Sequence, residues 1–178
     1  KVTPGGVISV FLNVSNTADM FVQGNKLYLK KTNTLTPDGA WSGHGGVEVR
    51  DLSSVGDVEA LKQAYIRDAI GMAFDTTAAG PYRNWLYIAQ YDDRSVVRLK
   101  PGAGGALTSH QVYRFLNRTN APELVRPYDV WVDPATGNVW VSDHGTGTGN
   151  DGLYVYDTTG TRIADYSALV NRPMKFGY

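Results

Sequence analysis

The stretch DHGTGTGND, Asp143 to Asp151, places an imidazole, three carboxylate or carboxamide side chains and three glycines within nine residues. His144 can ligate a metal or exchange a proton near neutral pH. Asp143, Asn150 and Asp151 carry the hard oxygens that calcium accepts, and the intervening glycines let backbone carbonyls turn inward. The spacing is not that of an EF-hand, whose D-x-[DN]-x-[DN]-G is absent. No Gly-Lys-Ser/Thr completes a phosphate loop, and no Gly-x-Ser-x-Gly supplies a serine elbow. His44 lies in a second glycine-rich segment, WSGHGG, whereas His110 belongs to a strand-like run and is given no role. Trp41, Tyr91 and Tyr128 add rings able to stack on a sugar, with Asp92 beside them. Each has a plainer role as well. A loop histidine is more often simply hydrated, an aspartate at a strand end more often caps turn amides, and Trp41 and Tyr91 can equally pack between structural units.

Composition narrows the chemistry. The 178 residues contain no cysteine, which excludes disulfides, zinc-thiolate sites and a cysteine nucleophile. Seventeen basic residues balance seventeen acidic ones, so no global field recruits nucleic acid or an anionic membrane. No apolar run approaches membrane-spanning length. Twenty glycines, eleven tyrosines and four tryptophans point to an all-β chain rich in tight turns, of a kind common in secreted, cell-surface or periplasmic proteins.

The elements that position these residues repeat. GNKLYLKK (24–31), RNWLYIAQ (83–90) and GNVWVSDH (137–144) each run from a turn into an alternating strand, with starts roughly 60 residues apart. Each is followed by a second strand, at 46–52, 95–101 and 152–158, and preceded by another, at 7–14, 70–76 and 129–134. Fourth strands are expected at 110–117 and 161–169. In the first unit, DVEALKQAYIRDA (57–69) instead has helical spacing behind Asp57 as N-cap and predicts a short helix. Four short antiparallel strands repeated in this way define β-propeller blades. The units span about 7–66, 67–125 and 126–171, and RPMKFGY (172–178) copies the start of RPYDVWV (126–132) as the first strand of a further blade. The expectation is an incomplete ring, with the remaining blades or another copy of the chain as its partner.

Pro127, Val130, Val132, Asp133, Gly137, Asn138, Trp140, Val141 and Asp143 together resemble the NHL repeat and, more loosely, the six-bladed propellers of the gluconolactonase-like class. The second unit matches in part through Gly71, Ala73, Asp75, Asn84, Leu86, Ile88 and DDRSVVRL, and the first mainly through GNKLYL. The resemblance implies that first strands line a central channel. It also implies that the second-to-third loops and the blade-to-blade loops share the functional face. Trp41, His44, Tyr91, Asp92, Tyr128 and His144 then become ligand-binding candidates, and Asp143, His144, Asn150 and Asp151 candidates for a divalent metal such as calcium. With no catalytic constellation evident, the expected function is a scaffold binding a glycan or protein. The alternative is part of a metal-dependent propeller hydrolase or lyase with its site at the channel mouth.

Overall fold

Alternation at period two forces each half-buried strand to find partners on both edges and a cover on one face. The computed structural model describes residues 17–31, 34–35, 41–42, 46–52, 58–61, 69–102, 111–146, 151–171 and 176. The first strands in chain order are β1 (Thr17–Gln23), β2 (Lys26–Lys31), β3 (Thr34–Leu35), β4 (Trp41–Ser42), β5 (Gly46–Asp51) and β6 (Val58–Leu61). β1, β2, β5 and β6 form one antiparallel sheet in that order, while β3 and β4 make a two-residue ladder inside the β2–β5 connection. β7 (Ala69–Phe74), β8 (Leu86–Gln90), β9 (Ser95–Lys100) and β10 (Gln111–Leu116) form the second sheet. β11 (Pro127–Val132), β12 (Val139–Asp143), β13 (Gly152–Tyr156) and β14 (Arg162–Asp165) form the third, followed by a 3-10 turn at Ser167–Leu169. The fold is all-β: three four-stranded blades of a propeller, with their first strands innermost.

The middle blade is buried on both faces. Met72, Phe74, Leu86, Ile88, Val97 and Leu99 pack with Tyr28, Val47 and Val49 of the first blade. Ala73, Tyr87, Ala89, Val96 and Phe115 pack with Val130, Val132, Val139, Val141 and Tyr156 of the third. The first four residues of β8 therefore read Leu-Tyr-Ile-Ala, without a charged or amide side chain, because alternate side chains serve two different cores. The outer strand β14 is largely exposed.

The same register break recurs in every blade. Pairing of the first strand with the second shifts between Thr17 and Asp19, between Ala69 and Met72, and between Pro127 and Asp129. Such bulges bend a strand and increase its twist, here at the inner end of each sheet. At that level β7 and β11 approach so closely that a Cβ on Gly71 would lie 2.6 Å from the Asp129 Cα and nearer still to its carboxylate. Asp129 is fully buried; its Oδ1 accepts from Val130 N (2.9 Å), and its Oδ2 accepts from Phe176 N (2.8 Å).

The first-to-second turns follow their sequence chemistry. Gly137 N donates to Asp133 O at 2.8 Å with Gly137 at φ 74°, while the Asp133 carboxylate accepts from Ala135 N and Thr136 Oγ1. In the second blade Asn84 takes the left-handed conformation (φ 64°) and Asp75 accepts from Thr77.

One expectation changes, and another lies outside the described residues. The helix over 57–69 is corrected at residues 58–61, which form β6: the open edge of β5 offers a ladder from Val47↔Leu61 to Arg50↔Val58, and sheet pairing overrides local helical spacing. It is corrected at Ala69 as well, which opens β7, while 57 and 62–68 lie outside the described residues. The strand expected at 7–14 also lies outside them, and β1 at 17–23 fills the first-strand place. The two-residue Gly24-Asn25 turn joins Gln23 directly to Lys26, so the strand abutting the turn must be the partner of β2. Of 172–178 only Phe176 is described.

Gly71→Ala should lower the unfolding free energy by about 3 kcal/mol, because backbone must move to admit the methyl. Urea denaturation measures this, and an unchanged midpoint would show that the inner strands separate freely. Asp133, Asp157 and Asp165 are each held below the ordinary carboxylate range, first by a hydroxyl (Thr136, Thr159 and Ser167) and further by turn amides. Their contribution to stability is therefore complete above about pH 4 and is lost as pH falls through the folded-state values. Exchanging all three for Asn should flatten the acid limb of the stability profile, modestly because the groups are exposed. A wild-type acid limb in that variant would count against the assignment.

Candidate functional site

The β12–β13 loop begins at His144, and a buried carboxylate fixes its position. Asp143 Oδ2 accepts from Val125 N (2.8 Å) and Arg126 N (2.9 Å), while Oδ1 accepts from Gly145 N (2.7 Å). His144 N adds a bond to Arg126 O at 3.0 Å. Residues 125–126, which lead into the third blade, are thereby tied to residues 144–145, at the far end of its second strand. Burial raises the Asp143 pKa above the ordinary range against the pull of its three amides, and the Asp151 charge raises it further.

The neighbouring β8–β9 turn is braced in the same manner. The buried Gln90 donates from Nε2 to Ser95 Oγ at 2.8 Å, and Ser95 Oγ donates to Asp93 Oδ2 at 3.0 Å. Arg94 closes the turn with φ 51°. Tyr91 stands at the base of that turn, immediately after β8.

These two scaffolds bring Tyr91, Tyr128 and His144 together. The Tyr91 and Tyr128 ring centroids are 6.4 Å apart, His144 is 5.9 Å from Tyr128 and 6.5 Å from Tyr91, and the Arg126 guanidinium carbon is 5.3 Å from the Tyr91 centroid. All four residues are half-buried. His144 Nδ1 is enclosed and has no hydrogen-bond partner among the described residues. The result is an aromatic recess where the second and third blades meet, edged by a cation and an imidazole nitrogen with unused bonding capacity.

The other candidates are distributed differently. Asp92 is exposed at the tip of the β8–β9 turn. Trp41 lies on β4, with its side chain outside the described residues, as are His44 and Asn150. Of the metal candidates, Asp143 spends both oxygens on backbone amides, and Asp151 is near enough to influence its charge. Among the described residues no three acidic, histidine or cysteine side chains gather closely enough to hold a metal ion. Arg126 joins the recess from a blade-to-blade loop expected on the functional face, although it was not among the ligand-binding candidates. Its signal was the Arg-Pro pair recurring at 126–127 and 172–173, which marks the start of a blade.

No family model matches the chain, and no curated protein matches it. Among solved structures, an X-ray structure described as that of a candidate gluconolactonase is similar over 90% of this chain and 52% of its own, at 17% identity and a TM-score of 0.55. At that identity the likeness is one of fold, and this chain spans about half the length of the protein it matches.

Asp143→Ala should cost roughly 2–3 kcal/mol, since three amides lose their acceptor. It should also shift the NMR signals of Tyr128 and His144; unchanged stability would mean that the clamp is dispensable. The pH dependence has the opposite sense to that of the turn aspartates. Between the ordinary aspartate value and the raised one, the native state holds more protons than the unfolded chain, so stability falls as pH rises through that window. Asp143→Asn should abolish this component, which a pH series of melting curves on both proteins would reveal.

Proposed function

We propose that this chain is a segment of an NHL-type β-propeller that acts as a binding scaffold, taking a glycan through its second-to-third-strand and blade-to-blade loops. The observation that carries this reading is the convergence of Tyr91, Tyr128 and His144 within 6.5 Å of one another, with Arg126 alongside. Half-buried rings offer flat apolar faces for sugar C–H groups, while phenol, imidazole and guanidinium groups offer hydrogen bonds at their edges. Trp41 and His44, on the equivalent loop of the first blade, and Asp92 on the turn belong to the same reading.

Screening the protein on an oligosaccharide array, and then titrating the best binder, tests it. Binding should survive chelation and weaken at least ~10-fold in Tyr128→Ala. A screen without a saccharide hit would overturn the glycan assignment and leave a protein ligand as the scaffold's target.

The second reading, a metal-dependent hydrolase or lyase, draws support from the fold likeness to the candidate gluconolactonase and from Asp151 standing near Asp143 beside His144. It requires a divalent ion, calcium first, in protein purified without chelator. Substoichiometric metal would sink it. We further propose that remaining propeller blades, or another copy of the chain, cover the outer face of the third blade. There Trp131 meets Trp140 at 6.2 Å and Trp140 stacks on Tyr166 at 5.5 Å, all incompletely buried, whereas the third blade itself seals the corresponding face of the second. A secreted, cell-surface or periplasmic location fits the composition.

A further inference from the structure

We propose that the groove between the first and second blades, at the end of the sheets opposite the His144 recess, binds an acidic saccharide. The groove is formed by the β1–β2 turn, the β7–β8 connection and the end of β9, and encloses about 660 Å³. That volume falls within the range of small-molecule sites. Antiparallel strands put first-to-second turns and second-to-third loops at opposite ends of a blade, so this groove and the His144 recess share no residue.

Three kinds of group meet there. The first is an aromatic wall held in a fixed orientation: Trp85 stacks on Tyr113 at 5.1 Å and 29°, and meets the edge of Tyr82 at 5.1 Å. The second is a carboxamide pair, one from each blade. Gln23 Nε2 donates to Asn84 Oδ1 at 3.0 Å, an arrangement that leaves Gln23 Oε1 as an acceptor beside the Asn84 Nδ2 donor. Adjacent hydroxyls of a pyranose, each both donor and acceptor, complement such a pair.

The third is uncompensated positive charge. The groove's carboxylate, Asp51, is already engaged by Lys26 at 3.3 Å and by Asn25 Nδ2 at 2.8 Å. Arg83 and Lys100 form no ion pair among the described residues. Arg83 spends one nitrogen on Ala78 O (3.1 Å), and Lys100 Nζ stands 6.0 Å from the Trp85 centroid. A sugar ring against the indole edge places a carboxylate within reach of both cations. The chain as a whole is electrically balanced, so this charge is a local property of the groove. A neutral sugar would leave both cations unused. A nucleotide would need an open ring face for its base, and one face of Trp85 is already taken by Tyr113.

Titration of the 15N-labelled 178-residue chain with tetragalacturonate, maltotetraose and AMP tests the assignment. Tetragalacturonate should shift the amides of residues 24–26, 83–85, 100 and 102, and raised salt should weaken its binding. Maltotetraose should bind at least ~10-fold more weakly, and R83Q/K100Q should lose at least ~10-fold while melting normally. Tyr128→Ala should leave this titration unchanged. Equal binding of maltotetraose, tighter binding of AMP, wild-type affinity in R83Q/K100Q, or shifts confined to residues 91, 128 and 144 would each overturn the proposal. So would an absence of shifts at about 10 mM tetragalacturonate, a concentration that detects even millimolar affinity.

Discussion

Where β7 meets β11 there is no room for a side chain. Gly71 lies against the backbone of Asp129, and that contact sets the distance between the second and third blades at their inner ends. Once the inner strands touch, β8 is carried against the third blade, and the two facing sheets seal Tyr87, Ala89, Val130 and Val141 from water. Core side chains of aromatic size contribute about 3–5 kcal/mol each by the cost of truncation, whereas an exposed turn hydrogen bond contributes nearer 1 kcal/mol. Stability therefore resides in the interfaces between blades, and the Asp-containing turns serve mainly to fix register.

The chemistry of the aromatic recess depends on that geometry. Tyr91 belongs to the second blade and Tyr128, His144 and Arg126 to the third, so the ring distances are set by how the blades pack. Asp143 then does the local work. One buried carboxylate binds three amides from two loops, and in doing so presents His144 with its Nδ1 uncommitted. The residue reads both as a turn cap and as part of a site because the same oxygens that hold the loop also determine where its imidazole points.

Much of the architecture was legible because its signals are local. Alternation bounded by Gly, Asn and Pro located the strands of the second and third blades to within a few residues, and the Asp133–Asn138 turn has the bonds that its residue types require. β6 was not legible as a strand: VEAL carries helical spacing, and what makes it a strand is the free edge of β5, which pairs Val47 with Leu61 and Arg50 with Val58. β1 was not nominated because Thr17, Asp19 and Gln23 look like loop, although Phe21 packs on Phe74 at 5.2 Å. Tyr91, Tyr128 and His144 could be nominated from their repeat positions, since equivalent loops share one end of the blades. Arg126 shares that end as part of a blade-to-blade loop, but its place beside Tyr91 depends on Asp143 acting across seventeen residues. The residues of the opposite groove were passed over for a different reason: Gln23, Asn84 and Lys100 are the types expected at any turn or strand end, and only the packing of two blades brings them together.

The middle blade is a shared wall, and sharing has a dynamic consequence. β14 is the outer strand of its sheet and largely exposed, but β8 is exposed only when both neighbours have let go. Opening motions should therefore start at strands such as β14 and reach β8 last, a gradient that amide hydrogen exchange would register as increasing protection toward the centre. Tyr91 follows directly on β8, so one side of the recess is anchored to the slowest-opening segment of the chain. Its opposite side, His144, follows on β12 of the third blade and is held by the amides that Asp143 gathers. The recess thus has one side anchored in a core shared by two blades and another held by the Asp143 clamp, which limits how far the imidazole can shift.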